Sequence, residues 1–278
     1  MSAAMRFWRK LHAMPWHVRW LVKWAAVGLS VLAVTYPYPH LLVRNVLRWR
    51  NPNAMIEPNA AKLRPMLDEL RRRIDPSLAP PDVLRQVEKY VCRRIEYAWD
   101  WDTWGVADYL PTVEEALDAG REDCDGRAVV AASLLRGLGY QADIVSDFAH
   151  VWVRTDKGET MSPGESKSLV ASDQKGIEVR WRTMSNLPTA LAYGVSPFPL
   201  GRELVVLAVF WLTLLRPGFG RAAGAAGAAA LVCGLLALRY GGHVWQHPIV
   251  WAQATGIVLI AGTGVFLFVY GRRQGRGM

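Results

Sequence analysis

The chain has 278 residues, a net charge of +9, 21% charged and 51% hydrophobic residues, and these averages hide a charged middle between apolar ends. Much of the Arg and Lys flanks apolar runs: Arg6, Arg9, Lys10 and Arg19 before the first, Arg272, Arg273 and Arg276 after the last. That pattern fits membrane flanks and argues against nucleic-acid binding, since no basic stripe interleaved with stacking aromatics accompanies it. Three cysteines, Cys92, Cys124 and Cys233, are too sparse and odd in number for a disulfide framework.

A basic tail over residues 1–20 precedes an apolar run at 21–38, close to the roughly 20 residues that cross a bilayer. Lys23 lies near its end and is expected to snorkel toward the headgroups. Trp16, Trp20 and Trp24 on one side and Tyr36 and Tyr38 on the other match interface aromatics. No small-residue cleavage site follows, so the run reads as a retained anchor.

Residues 44–196 carry the soluble domain. Leu63, Met66, Leu67 and Leu70 recur at helical spacing between Asn59 and Ile74. Pro80-Pro81-Asp82 starts a second helix with Val83, Val87, Tyr90, Val91 and Ile95 on its apolar face, and Cys92 inside it reads as a core residue. Between Tyr97 and Tyr109 come Trp99, Trp101 and Trp104 with Asp100, Asp102 and Asp108, either a functional loop or an aromatic cap on the core. Thr112 and Glu115 have capping-box spacing, and Gly120 ends that short helix. Asp123 or Asp125 caps the next, whose apolar face uses Val129, Ala132, Leu134 and Leu135 and which Gly137-Leu138-Gly139 stops. The period then changes to two: strands at 142–146 and 150–154, a turn at 156–158 leading back through 159–162, and a further strand at 177–181. Helices followed by an antiparallel sheet make an α+β domain.

Three more apolar runs follow at 199–215, 222–238 and 249–270, then a basic tail at 271–278. Arg202 and Glu203 lie near the entry of the first, and Gly224 and Gly227 suit close helix packing in the second. With four transmembrane helices and basic inside loops, the expected protein is multi-pass in the cytoplasmic membrane, its soluble domain on the extracytoplasmic (periplasmic) side. Arg44, Arg48 and Arg50 argue the other way, though a long translocated domain tolerates such charge. Ionisable residues lie only near the ends of the spans, which disfavours a transporter.

His150 is the single histidine between Asn51 and Ser196, and Cys124 falls at a helix start. A thiol at a helix N-terminus is biased toward thiolate, and a neighbouring imidazole can take its proton. The 26 positions from Cys124 to His150 leave room for the helix, a strand and a turn. Trp152 alternates in phase with His150, to pack over the imidazole or to fill core. Among the His and Cys residues no set has zinc spacing, and neither a phosphate loop nor a Gly-x-Ser-x-Gly elbow occurs.

Residues 87–154, about a quarter of the chain, contain Gly120-Arg-Glu-Asp-Cys-Asp-Gly126, a helix to Leu138, Gly139, a strand and His150-Val-Trp152-Val. This succession resembles the transglutaminase-like superfamily, and Trp104–Leu117 is similar to the segment before the cysteine in bacterial transglutaminase-like cysteine proteinases. The resemblance implies a papain-like domain with Cys124 as nucleophile and His150 as base. An acidic third member is usual on the following strand. Here Ser162 of Glu159-Thr-Met-Ser-Pro163 falls at that place, with Glu165, Glu159 or Asp156 as alternatives if the loop bends back.

Acidic residues beside the cysteine in such proteinases take part in calcium binding, which brings in Asp123 and Asp125, although Gly126 stands where a further acid is expected. Otherwise no cofactor is implied, and helix capping with a favourable charge at the helix end is the plainer reading of both aspartates. Trp99, Trp101 and Trp104 are candidates for a substrate groove or an indole oxyanion donor. The expected function is a membrane-anchored thiol hydrolase or acyltransferase. It would act on a protein or peptide substrate, as a protease or amidase in preference to a cross-linker. The alternative is a catalytically weakened binding or scaffold module.

Overall fold

The computed structural model describes residues 3–147, 150–162, 170–173, 176–179, 187–215, 220–243 and 247–274. Contacts divide the chain into two units, Met1–Pro37 with Pro188–Met278, and Tyr38–Leu187.

The first unit is helical: α1 (Ala3–Ala13) and α2 (Trp16–Thr35) at the start, and α9 (Leu187–Val195), α10 (Leu200–Leu214), α11 (Arg221–Gly242) and α12 (Val250–Gln274) at the end. α2, α11 and the Val250–Val269 part of α12 are long and apolar enough to cross a membrane. The chain therefore has the character of a membrane protein. The run at 199–215 departs from expectation: α10 has 15 residues, and α9 and α10 meet at a bend of 115°, so a fourth span exists only if that pair forms one broken crossing. Pro197 and Pro199 sit at the break, where a ring in place of an N–H cannot continue a helix.

Small residues let α11 and α12 approach closely. A Cβ on Gly256 would lie 2.7 Å from the Gly234 carbonyl, and one on Gly227 would lie 3.0 Å from Leu267. Polar groups in this unit are held by protein. Lys23, expected to snorkel, is 4% exposed; it donates to the Thr213 carbonyl and stands over the Trp8 and Trp20 rings. Glu203 pairs with Arg239, which also donates to the carbonyls of Val195 and Phe198. Cys233 lies within α11 and is exposed on that helix.

The second unit opens with α3 (Pro39–Trp49), a helix that the sequence pattern did not reveal because its cations look like membrane flank. Arg48 instead turns inward to Glu115 at 2.6 Å and the Leu110 carbonyl at 2.9 Å. α4 (Arg64–Arg73) and α5 (Pro80–Arg94) follow. Then come β1 (Glu96–Tyr97), α6 (Asp100–Thr103), α7 (Val113–Ala119), β2 (Arg121–Glu122) and α8 (Cys124–Gly137). α7 carries the expected Thr112–Glu115 capping box and ends at Gly120 with φ 66°.

α8 is the central helix. Every residue from Ala128 to Leu135 is fully buried, because Ala and Val on several faces let α5, α7 and the sheet pack around it. The sheet holds β3 (Ala142–Asp147), β4 (Val151–Thr155), β5 (Gly158–Thr160), β6 (Val170–Asp173) and β7 (Gly176–Val179) in the order β5-β4-β3-β6-β7. All its pairings are antiparallel, with Val145 opposite Trp152 and Ser146 opposite Val151. Helices followed by an antiparallel sheet match the α+β expectation; β6 was not foreseen.

Candidate functional site

Two short strands build the site. β1 runs parallel to β2, Tyr97 opposite Glu122, and the Ala98 N–H donates to the Glu122 carbonyl at 3.3 Å. One strand leads into α6 and Asp100; the other leads into Asp123 and the first residue of α8, Cys124. Segments more than twenty positions apart thus converge at one helix tip. Asp123 is the N-cap, its carboxylate accepting from the Asp125 N–H at 3.2 Å.

Cys124 is half-buried, and the main-chain N–H of Val151 is near enough to its sulfur to act on the thiol. The thiol therefore abuts the start of β4, next to His150. Burial pushes this thiol well above its usual value, and the charge of Asp123 adds to that; the Val151 N–H opposes both. Enclosure and the neighbouring carboxylates therefore work against the bias toward thiolate that the helix tip gives.

His150 lies nearly parallel to Trp152, with ring centroids 6.4 Å apart and an interplanar angle of 12°. Trp152 is 3% exposed, so it both fills core and backs the imidazole. The Nε2 of His150 is 2.8 Å from the main-chain carbonyl of Met161. The acceptor at Nε2 is therefore a backbone oxygen one position before Ser162. Glu159 is engaged elsewhere, accepting from Trp152 Nε1 at 3.1 Å and Arg154 Nε at 2.9 Å. Asp156 pairs with Lys157 at 3.4 Å. Glu165 lies outside the described residues. Met161 itself has φ 59°, the one non-glycine residue with positive φ among those described. Its N–H donates to Glu88 of α5 at 3.1 Å, as does the Thr160 hydroxyl at 2.9 Å.

The second element of the site is acidic. Asp100, Glu122, Asp123 and Asp125 each bring one carboxylate oxygen to within 4.8 Å of all the others. Their exposures are 1%, 0%, 8% and 2%. Asp100 Oδ1, Glu122 Oε2 and Asp125 Oδ2 are buried without a hydrogen-bond partner among the described residues. Burial first, and then the neighbouring carboxylates, push Asp100 and Asp125 well up and Glu122 to about 8. Four converging carboxylates with orphaned oxygens are costly unless protons or a cation neutralise them. The donor set, all hard oxygen, fits calcium and lacks the nitrogen or sulfur that zinc prefers. Gly126 belongs to this arrangement: a Cβ there would lie 2.5 Å from Glu122 Oε2. Glu122 fills the space beside the position where a further acid was expected.

Asp123 and Asp125 were legible from the sequence; Asp100 and Glu122 were not. Asp100 stood among aromatic residues, and only the β1–β2 ladder joins it to the thiol segment. Trp104 departs from the oxyanion expectation, since its indole N–H donates to Glu122 Oε1 at 3.1 Å and its ring packs on Tyr109. It walls the acidic cluster. Trp99 and Trp101 stack on each other at 4.9 Å with Tyr97 edge-on, and they remain candidates for a groove wall. Cys92, expected in the core, is exposed and accepts from Arg127 at 3.8 Å.

No protein-family model matches the chain, and no curated protein matches it.

Proposed function

We propose that the chain is a membrane-anchored thiol hydrolase of transglutaminase-like type, cleaving peptide or side-chain amide bonds through Cys124 and His150. One observation carries this reading: Cys124 begins α8, α8 packs on β4, and the Val151 main-chain N–H at the start of that strand, next in sequence to His150, is near enough to act on the thiol. That is the helix-and-strand juxtaposition which Cys–His chemistry requires. The order of helices and antiparallel strands agrees with the papain-like domain that the sequence pattern implies.

In this account His150 removes the Cys124 proton as the sulfur attacks the amide carbonyl. A C–S bond forms, the C–N bond breaks, and the imidazolium returns its proton to the leaving amine. Water then attacks the thioester with His150 as base, releasing the acid and restoring the thiol. In this reading the domain works outside the cytoplasmic membrane, which the distribution of basic loops supports.

Asp100, Glu122, Asp123 and Asp125 would hold calcium. When bound it supplies positive charge at the helix tip, opposing the carboxylates that raise the thiol.

One observation favours the alternative, a weakened binding module: Cys124 is pushed well above its usual value. The rate of Cys124 alkylation against pH, measured with calcium present, separates the two. A thiol that titrates at or above its ordinary value favours the module. The hydrolase is tested by labelling with a thiol-directed acyl probe. Cys124→Ala and His150→Ala should each abolish labelling while the protein stays folded. Equal labelling of Cys124→Ala and wild type would overturn the proposal.

A further inference from the structure

We propose that the imidazole is oriented by the main-chain carbonyl of Met161, fixed in place by Glu88 of α5, so that Glu88 is a positioning residue for His150. The inference rests on the Cys–His reading above but goes beyond it, because it names a main-chain group that orients the ring and the residue that holds that group.

A carbonyl oxygen only accepts, so the Nε2 of a neutral His150 at 2.8 Å from it must carry the proton. The lone pair is then on Nδ1, which in the Cys–His reading takes the proton of the thiol. An orienting group in a Cys–His site has this task, to select the tautomer and hold the ring. A carbonyl does so without a formal charge.

The carbonyl points there because of an unusual backbone. Met161 has φ 59°, a left-handed conformation uncommon for residues with a Cβ and persistent only where surroundings enforce it. Enforcement comes from Glu88, which holds both this residue and the one before it. Its N–H donates to Glu88 Oε2 at 3.1 Å. The preceding Thr160, 3% exposed, donates its hydroxyl to the same oxygen at 2.9 Å. Thr160 is also paired in the sheet opposite Val153 of β4, the strand that begins after His150. Glu88 thereby clamps the end of β5 to α5, leaving the Met161 carbonyl directed at the ring. The Met161 side chain packs against the core.

The test uses the full chain in detergent with 15N-labelled histidine. The His150 resonances are assigned with His150→Ala. Wild type should show an Nε2-protonated, Nδ1-unprotonated neutral ring. Glu88→Ala should mix the tautomers and slow Cys124 alkylation about tenfold at neutral pH. Glu88→Gln, which keeps an accepting oxygen, should restore the wild-type tautomer. Met161→Val, whose β-branch resists positive φ, should mix the tautomers as Glu88→Ala does. An Nδ1-protonated ring in wild type, or a folded Glu88→Ala with an unchanged tautomer, overturns the proposal. The tautomer is read independently of any acyl transfer. A clamp that behaves as expected beside an inert Cys124 would sink the hydrolase and keep the positioning role.

Discussion

Neutralising one acid of the cluster should change how stability depends on pH. In the metal-free protein Glu122 holds its proton up to about 8, against an ordinary value of 4.5, chiefly because it is buried. The unfolded chain releases that proton near 4.5. Between those values the native state binds more protons, so stability falls as pH rises and levels off above about 8. Moving one carboxyl from 4.5 to about 8 sets a ceiling of roughly 5 kcal/mol on its contribution. At least about 2 kcal/mol should be seen, or about 4–8 °C in the melting of a unit this size. Asp100 and Asp125 shift in the same direction and steepen the slope. Glu122→Gln keeps an oxygen for the Trp104 N–H and removes this contribution. The assay is thermal unfolding of the full chain in detergent from pH 5 to 8.5, with chelator or with calcium. Metal-free wild type should melt lower at pH 8 than at pH 5, calcium should reverse the loss, and Glu122→Gln should flatten the slope and weaken the calcium response at least about tenfold. A wild-type profile flat in pH and indifferent to calcium would refute the reasoning.

Gly126→Ala should lower calcium affinity about tenfold in a calorimetric titration, because a methyl group would displace the Glu122 carboxylate. The gain in helix propensity, up to about 1 kcal/mol, should keep its metal-free melting near wild type. Asn45→Ala should destabilise the Tyr38–Leu187 unit by about 2–3 kcal/mol in denaturant unfolding, since the buried Leu110 N–H loses its acceptor at 2.9 Å. Gly256→Val should lower melting of the helical unit by about 1–3 kcal/mol in detergent circular dichroism, a Cβ there lying 2.7 Å from the Gly234 carbonyl.

Local signals in the sequence located much of the fold. Apolar period placed α5 and α8, the Thr112–Glu115 box and Gly120 bounded α7, and alternation found β3 and β4. What escaped depends on tertiary pairing. α3 looked like a basic flank because the ion pair that takes Arg48 inward is with Glu115, 67 positions away. The span at 199–215 was drawn too simply because hydropathy does not register the bend at Pro197 and Pro199. Within the site, Cys124 and His150 were legible as the helix-tip thiol and the domain's one internal histidine. Asp100 and Glu122 became ligand candidates only through the parallel β1–β2 ladder, which no periodicity announces. The acceptor on the imidazole was invisible in principle, being a backbone oxygen whose direction depends on φ at Met161.

Exposure and site geometry make opposite forecasts for the two cysteines of the Tyr38–Leu187 unit. Cys92 is exposed, whereas Cys124 is half-buried; Cys233 lies within the apolar helix α11. The decisive measurement is mass-spectrometric mapping of the acyl group after the full chain, with calcium, reacts with an acyl-transferring peptide ester. The account predicts one adduct, on Cys124, lost in His150→Ala. An adduct on Cys92 or Cys233 with Cys124 unmodified would contradict it.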